Sequence, residues 1–322
     1  MPIPTWRPRS PFAPGRALVL AITLASTTTL AGCADEQTSD EAVVDGLIAF
    51  VAGADETSLV GWDEGSGDPI PITLPKGDAT WVATGRAGVL AAVLANGRTA
   101  TSDPLHLDEP LTWRVIKALG PTGAAPKGPF YFATWDPDGG RFAMLAGDLS
   151  SGEDIRVVLI DPSVGTAFEI PLDRAVLAAP PVWIDDERLI VVSGDAAAPL
   201  ATIVDTTTSG LDDGPAGARL LAASANGRRI ATMAGQGAPV VVRDTAGWMN
   251  GDGSSIASID PPSGSSTAIG FALDAAGERL VIAWASQDGA VSLAVHDGGS
   301  GWRRLARPPI GSARGAVVAW QR

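Results

Sequence analysis

A closed, all-β fold of repeated sheets is predicted by three features of this 322-residue chain: its apolar runs, its turn chemistry and its period. Short apolar runs recur throughout: LIAFV at 47, VLAAVL at 89, RVVLI at 156, RLIVV at 188, PVVV at 239, RLVIAW at 279 and VSLAV at 291. Each is bounded by Gly, Pro, Asp, Asn or Ser, and no window sustains helical spacing, so the runs read as strands. They are nearly continuous rather than alternating, which requires sheets packed on both sides.

The turns supply the period. An Asp follows a strand, with Gly a few residues on, at Asp63, Asp161, Asp205, Asp244 and Asp297, and less clearly at Asp103. Asp caps its own turn, and Gly takes the positive φ that closes a hairpin. The spacings are 40, 58, 44, 39 and 53 residues, a mean near 47. A second marker precedes these: WDPDGGRFAML at 135, ANGRRIATM at 225, AAGERLVIAW at 275 and a degenerate WIDDERLIVV at 183, read as turns between first and second strands. A period of 40 to 50 with four strands per unit predicts a β-propeller.

The first unit shows three strands, near 47–52, 57–62 and 70–74, while an extra strand, RGAVVAWQ, ends the chain at 314–321. Together they complete one sheet and remove an exposed edge. The expectation is a single propeller over 45–322, of six four-stranded blades, with the C-terminal strand innermost in the N-terminal blade. A pair of β-sandwiches is the rival, disfavoured because the turns recur across both halves without a dividing linker.

The pattern WDPDGGRFAM at 135–144, closed by IDPSVG at 160–165, resembles the blades of TolB-like and WD40-like propellers of bacterial envelopes. That resemblance implies the fold; no repeat carries the Gly-His and Trp-Asp signature of true WD40 units, so it implies no partner.

Residues 1–32 have the order of a secretory signal: Arg7, Arg9 and Arg16 without acids, the apolar run at 17–25, then small residues. The apolar run is too short to span a bilayer. Leu30-Ala31-Gly32-Cys33 resembles the lipobox of bacterial lipoproteins, which implies cleavage before Cys33 and its acylation. Cys33 is the only cysteine, and lipidation explains a lone thiol in an oxidising compartment. Two or more acyl chains hold stably, so the expected location is the cell envelope, anchored to the membrane and outside the cytoplasm. Residues 33–44 read as an acidic tether.

Losing residues 1–32, with three arginines and no acid, takes the formal charge from −13 to −16. Nucleic acid is an improbable class of partner for such a chain. His106 and His296 fall in outer regions of their units, and no nucleophile, metal or cofactor motif appears, so no catalytic, metal or cofactor residue is assigned. DPDGG at 136–140 and NGDG at 250–253 read as turns rather than calcium loops. Trp81, Trp135, Trp183 and Trp320 are expected to pack between blades; Trp248 and Trp302 fall in turns, where packing is preferred over exposed anchoring. The connections between second and third strands carry Asp55, Glu56, Asp148, Glu153, Asp154, Asp195 and Asp288, which makes that face acidic if the blade register is right; a generic solvated surface is preferred over a docking surface for a basic partner or a divalent ion. The leading expectation is a binding or scaffold module for another envelope protein. A propeller enzyme with acidic channel residues and a carbohydrate- or peptidoglycan-binding protein are the alternatives.

Overall fold

The computed structural model describes residues 47–53, 57–62, 69–77, 79–85, 88–106, 109–235, 237–261, 267–285, 290–298, 301–305 and 313–320. The signal, Cys33 and the tether lie outside the described residues, as do Asp63, Asp55, Glu56 and Asp288. The strands fall in one compact unit, Ala42–Arg322.

In chain order the strands are β1 (Leu47–Gly53), β2 (Thr57–Trp62) and β3 (Ile70–Pro71); then β4 (Ala79–Thr84), β5 (Leu90–Leu94), β6 (Thr99–Ser102) and β7 (Trp113–Ile116). Next come β8 (Phe130–Trp135), β9 (Phe142–Asp148), β10 (Glu153–Asp161) and β11 (Thr166–Pro171), followed by β12 (Val182–Trp183), β13 (Arg188–Asp195), β14 (Ala198–Asp205) and β15 (Leu211–Ala216). The chain continues through β16 (Leu220–Ala223), β17 (Arg229–Met233), β18 (Val240–Asp244), a short helix α1 (Thr245–Met249) and β19 (Ala257–Ile259). It finishes with β20 (Thr267–Leu273), β21 (Leu280–Ala285), β22 (Val291–His296), β23 (Trp302–Arg304) and β24 (Ala313–Trp320).

These strands form six four-stranded antiparallel sheets: β4–β7, β8–β11, β12–β15, β16–β19, β20–β23, and a closing sheet in the order β24-β1-β2-β3. Each of the first five is a meander of consecutive strands, and the sixth joins the two ends of the chain. In the closing sheet β1 pairs with β24 from Leu47↔Trp320 to Gly53↔Ala313. The first strands of the sheets touch in a circuit: β4 on β8, β8 on β12, β12 on β16, β16 on β20, β20 on β24 and β24 on β4. The fold is a single all-β propeller.

The core lies between sheets, which is why the apolar runs are continuous. One side of the β8–β11 sheet buries Phe142, Met144 and Val158 together with Ala91 and Val93 of β5. The other buries Ala143, Leu145, Val157 and Leu159 against Leu189 and Val191 of β13. Alternate residues of β9 and β10 thus belong to two different cores, as a strand's period of two dictates.

Asp244 was expected to open a hairpin turn, and here the structure differs. Its side chain accepts a hydrogen bond from the Gly247 amide at 3.0 Å and caps α1. A five-residue helix is too short to leave a periodic signal, whereas an Asp cap serves turns and helices alike.

Candidate functional site

Antiparallel strands reverse direction at alternate ends, so each sheet has its first-to-second and third-to-fourth turns at one end. Its second-to-third turn and its connection to the next sheet lie at the other. The propeller therefore has two chemically distinct faces, here called the turn face and the crossover face.

On the turn face the repeat is a carboxylate clamp. In the β8–β9 turn, Asp136 Oδ1 accepts from the Gly140 amide at 2.9 Å and the Arg141 amide at 3.1 Å, and Oδ2 pairs with Arg141 Nε at 3.3 Å. The β20–β21 turn repeats it: Asp274 takes the Glu278 and Arg279 amides at 2.8 and 3.2 Å and Arg279 Nε at 3.1 Å. The degenerate β12–β13 turn keeps the pair in shorter form, Asp185 with Arg188 at 2.6 Å. In the β16–β17 turn Ser224 replaces the acid and accepts from the Arg229 amide at 3.0 Å.

These turns also join sheet to sheet. The Arg141 guanidinium lies 5.4 Å from the Trp183 ring centre and donates to the Asp186 carbonyl at 2.5 Å. Trp183 Nε1 donates back to the Thr134 carbonyl at 3.2 Å. Gly227, at φ +68°, lies so close to the Ile184 carbonyl that a Cβ would overlap it, and Gly277 packs equally tightly on Arg229. The turn face spends its polar groups on holding the ring.

The third-to-fourth turns consume more carboxylates. Asp161 and Asp205 each accept from a hydroxyl and an amide two residues on, at 2.6 and 2.9 Å from Ser163 and at 2.7 and 2.8 Å from Thr207. The bond from the Thr207 hydroxyl, with amide bonds from Thr207 and Thr208, lowers the Asp205 pKa to about 2. On the crossover face Asp148 does the same with Ser150 and Ser151, and is also lowered to about 2.

The crossover face carries two depressions. One, of about 220 Å³, opens at the starts of β16 and β20, among Leu177, Ala179, Arg219, Leu220, Met233 and Thr267. The other, of about 140 Å³, lies between the β4–β7 and β8–β11 sheets, among Arg98, Ile116, Lys117, Pro126, Phe130 and Ile160. Beside the second, Phe132 of β8 sits at φ 53°, a conformation costly for a bulky side chain, with its ring 4.3 Å from that of Trp81.

The expectation of an acidic face here is corrected. Asp148, Glu153, Asp154 and Asp195 are exposed on this side. They share it, however, with Arg98, Lys117, Lys127, Arg174 and Arg219, which the sheet-to-sheet connections and the β5–β6 turn supply. Among the described residues the richer concentration of acids is on the turn face, with Asp103, Glu109, Asp136, Asp138, Asp161, Asp185, Asp186, Glu187, Asp205 and Asp274.

Of the other predicted residues, Trp135 and Trp183 are 4% and 5% exposed at the ends of their inner strands, while Trp81 is half-buried in mid-strand. Trp320 ends β24, paired with Leu47. Trp248 lies in α1 rather than a turn, 6% exposed in the core between the β12–β15 and β16–β19 sheets. Trp302 lies in β23, its Nε1 donating to the Asp260 carbonyl at 2.7 Å and its ring edge-on to His296 at 5.3 Å. His296 is half-buried at the end of β22, and His106 is half-buried in the β6–β7 connection. The two proposed calcium loops resolve as turns: Asp136 is consumed by its clamp, Asn250 caps the end of α1, and Asp252 holds Ser254 at 2.6 Å. Among the described residues no three His, Cys, Asp or Glu side chains gather to hold a metal ion. The strands of the inner circuit, β4, β8, β12, β16, β20 and β24, contain no Asp or Glu.

No family model matches this chain, and no curated protein matches it. Solved structures do. TolB from Acinetobacter baumannii aligns with a TM-score of 0.61 at 17% identity, over 86% of this chain and 67% of that one. A chain of the nidogen–laminin complex aligns with a TM-score of 0.59 at 11% identity, over 86% and 100%. A protein from Lactobacillus plantarum aligns with a TM-score of 0.50 at 16% identity, over 86% and 99%. At such identities the likeness is one of fold alone: a β-propeller similar to that of TolB.

Proposed function

We propose that this chain is a lipid-anchored, six-bladed propeller of the bacterial cell envelope that docks another envelope protein on its crossover face. The observation that carries the reading is the asymmetry of the two faces. Among the described residues the turn face commits Asp136, Asp161, Asp185, Asp205 and Asp274 and the arginines of its clamps to turns and sheet-to-sheet contacts, whereas the two depressions described above open on the crossover face. Six sheets and a closed circuit of inner strands support the blade count.

The point of attachment supports the orientation. Leu47 pairs with Trp320 at the turn-face end of the closing sheet, so the chain from Cys33 enters on that face. The thirteen residues between Cys33 and Leu47 reach at most about 45 Å when extended. A tether of that reach leaves the crossover face free to meet partners.

The test is in-cell crosslinking of the tagged chain, with mass spectrometry of what co-purifies, against a Cys33→Ala control. A stoichiometric envelope protein, reduced or lost in the control, is the expected result. Recovery of the chain alone from both samples overturns the scaffold reading. Metabolic labelling with a palmitate analogue, expected to disappear in Cys33→Ala, tests the anchor separately.

A further inference from the structure

We infer that the cleft between the β4–β7 and β8–β11 sheets binds an acidic peptide segment of the partner protein, with one apolar side chain seated in the cleft. The inference rests on the scaffold reading above and names the chemistry of its contact. Three observations converge on this place.

The first is charge. The chain has only three lysines and a net charge of −13, yet Lys117 lines this one cleft together with Arg98, and Lys127 directly follows Pro126 of its lining. All three side chains are exposed, and none forms an ion pair among the described residues. By contrast, Arg141, Arg156, Arg174, Arg188 and Arg279 each hold a carboxylate. Three such cations on a strongly acidic protein form a local field that steers an anionic partner.

The second is shape. The cleft is lined by Ile116, Pro126, Phe130 and Ile160, and its volume of about 140 Å³ takes one leucine- or phenyl-sized group. A concave apolar socket rimmed by charge is the usual seat of an anchoring side chain. A flat bilayer surface cannot fill it.

The third is the apolar surface nearby. Val115, Val164 and Phe168 are 45%, 67% and 43% exposed, three of the four large hydrophobics so exposed among the described residues. They belong to β7, the β10–β11 turn and β11, so this strip runs from the crossover-face end of β7 toward the turn-face end of the neighbouring sheet. The chain after β7 joins them, since the Leu119 amide donates to the Gly165 carbonyl at 3.0 Å and the Ala167 amide to the Leu119 carbonyl at 2.9 Å. A segment leaving the cleft along this rim finds apolar contacts to continue on.

The probe is a fluorescein-labelled peptide, EDEFEDE, with EDESEDE and QNQFQNQ as controls, titrated onto the full chain carrying Cys33→Ala and followed by anisotropy. Binding of EDEFEDE alone is expected, falling with salt and weakened roughly tenfold or more by R98E/K117E/K127E. An unchanged urea midpoint for that variant assigns the loss to the surface. Equal binding of the three peptides, or of EDEFEDE by both proteins, overturns the inference. So does co-sedimentation with phosphatidylglycerol vesicles, abolished by the same charge reversals, without peptide binding; that outcome makes the cleft a lipid contact. A crosslinked partner retained undiminished by R98E/K117E/K127E sinks this inference while leaving the scaffold reading intact.

Discussion

The two faces of the propeller are made by the same strands and differ in what their polar side chains do. On the turn face, Asp136, Asp185 and Asp274 each neutralise an arginine of their own turn, and Arg141 reaches across to the next sheet. On the crossover face Asp148 is held by Ser150 and Ser151 and Arg174 by Asp213, but the connections between sheets also introduce Lys117, Lys127 and Arg219, none of them in an ion pair among the described residues. A carboxylate that accepts buried amides is a structural part and is unavailable for recognition. An exposed lysine beside an apolar cleft is available. Density of charge therefore misleads about binding; what matters is whether the charge is already used.

The most damaging test acts on both faces at once. Truncation after residue 312 removes β24 and leaves β1 and the inner circuit with open edges. Loss of a cooperative urea transition is expected, and a truncated chain that still unfolds sharply would show that closure contributes little.

Next in size is the clamp. Asp136 is 4% exposed, and Asp136→Ala orphans two amides and the Arg141 guanidinium, so a loss of about 2–4 kcal/mol in urea unfolding is expected. Asp136→Asn retains an acceptor and should recover part of it. Equal losses for both variants would mean that the amide bonds matter less than the ion pair.

A glycine pair within one sheet compares the faces directly. Gly227 on the turn face and Gly237 on the crossover face both have positive φ, +68° and +70°. Gly237 has open space around it, so Gly237→Ala carries only the conformational cost of about 1 kcal/mol. Gly227→Ala adds a collision with the Ile184 backbone and should cost about 3 kcal/mol. Equal costs would remove the claim that the turn face is the more tightly joined.

The smallest effect is a titration. Asp205 and Asp148 have native pKa values of about 2 against an ordinary 3.8, because neighbouring hydroxyls and amides donate to the ionised carboxylates. Groups so depressed contribute stability that is fully present above the ordinary value and is lost as pH falls from there through about 2. Carboxyl resonances should titrate with midpoints near 2, and Thr207→Val should raise that of Asp205 while leaving Asp148 unmoved. Movement of both would point to a global field in place of the local turn.

Legibility in the sequence followed the range of the interaction. The markers at 135, 183, 225 and 275 fall at turns between first and second strands, since an Asp with a Gly closes a turn using its own neighbours. The C-terminal strand was legible from the three-strand count of the first unit. The clamp's arginine was in plain view, five residues after Asp136 and Asp274, but a turn reading has no use for it until the fold puts its guanidinium on the carboxylate. The acidic face was misread because the loops were counted without the connections that share their side. Trp248 was placed in a turn because five helical residues leave no period to detect.

By itself, the sequence determined an all-β chain, its repeat and its turn chemistry, all properties of residues within a few positions of one another. Which faces the turns form, which charges neutralise one another, and that Arg98 and Lys117 line one apolar cleft were decided only by the tertiary structure. The physical reason is that charge pairing and burial depend on distance in space, and in a ring of sheets the neighbours across an interface come from strands some 50 residues apart.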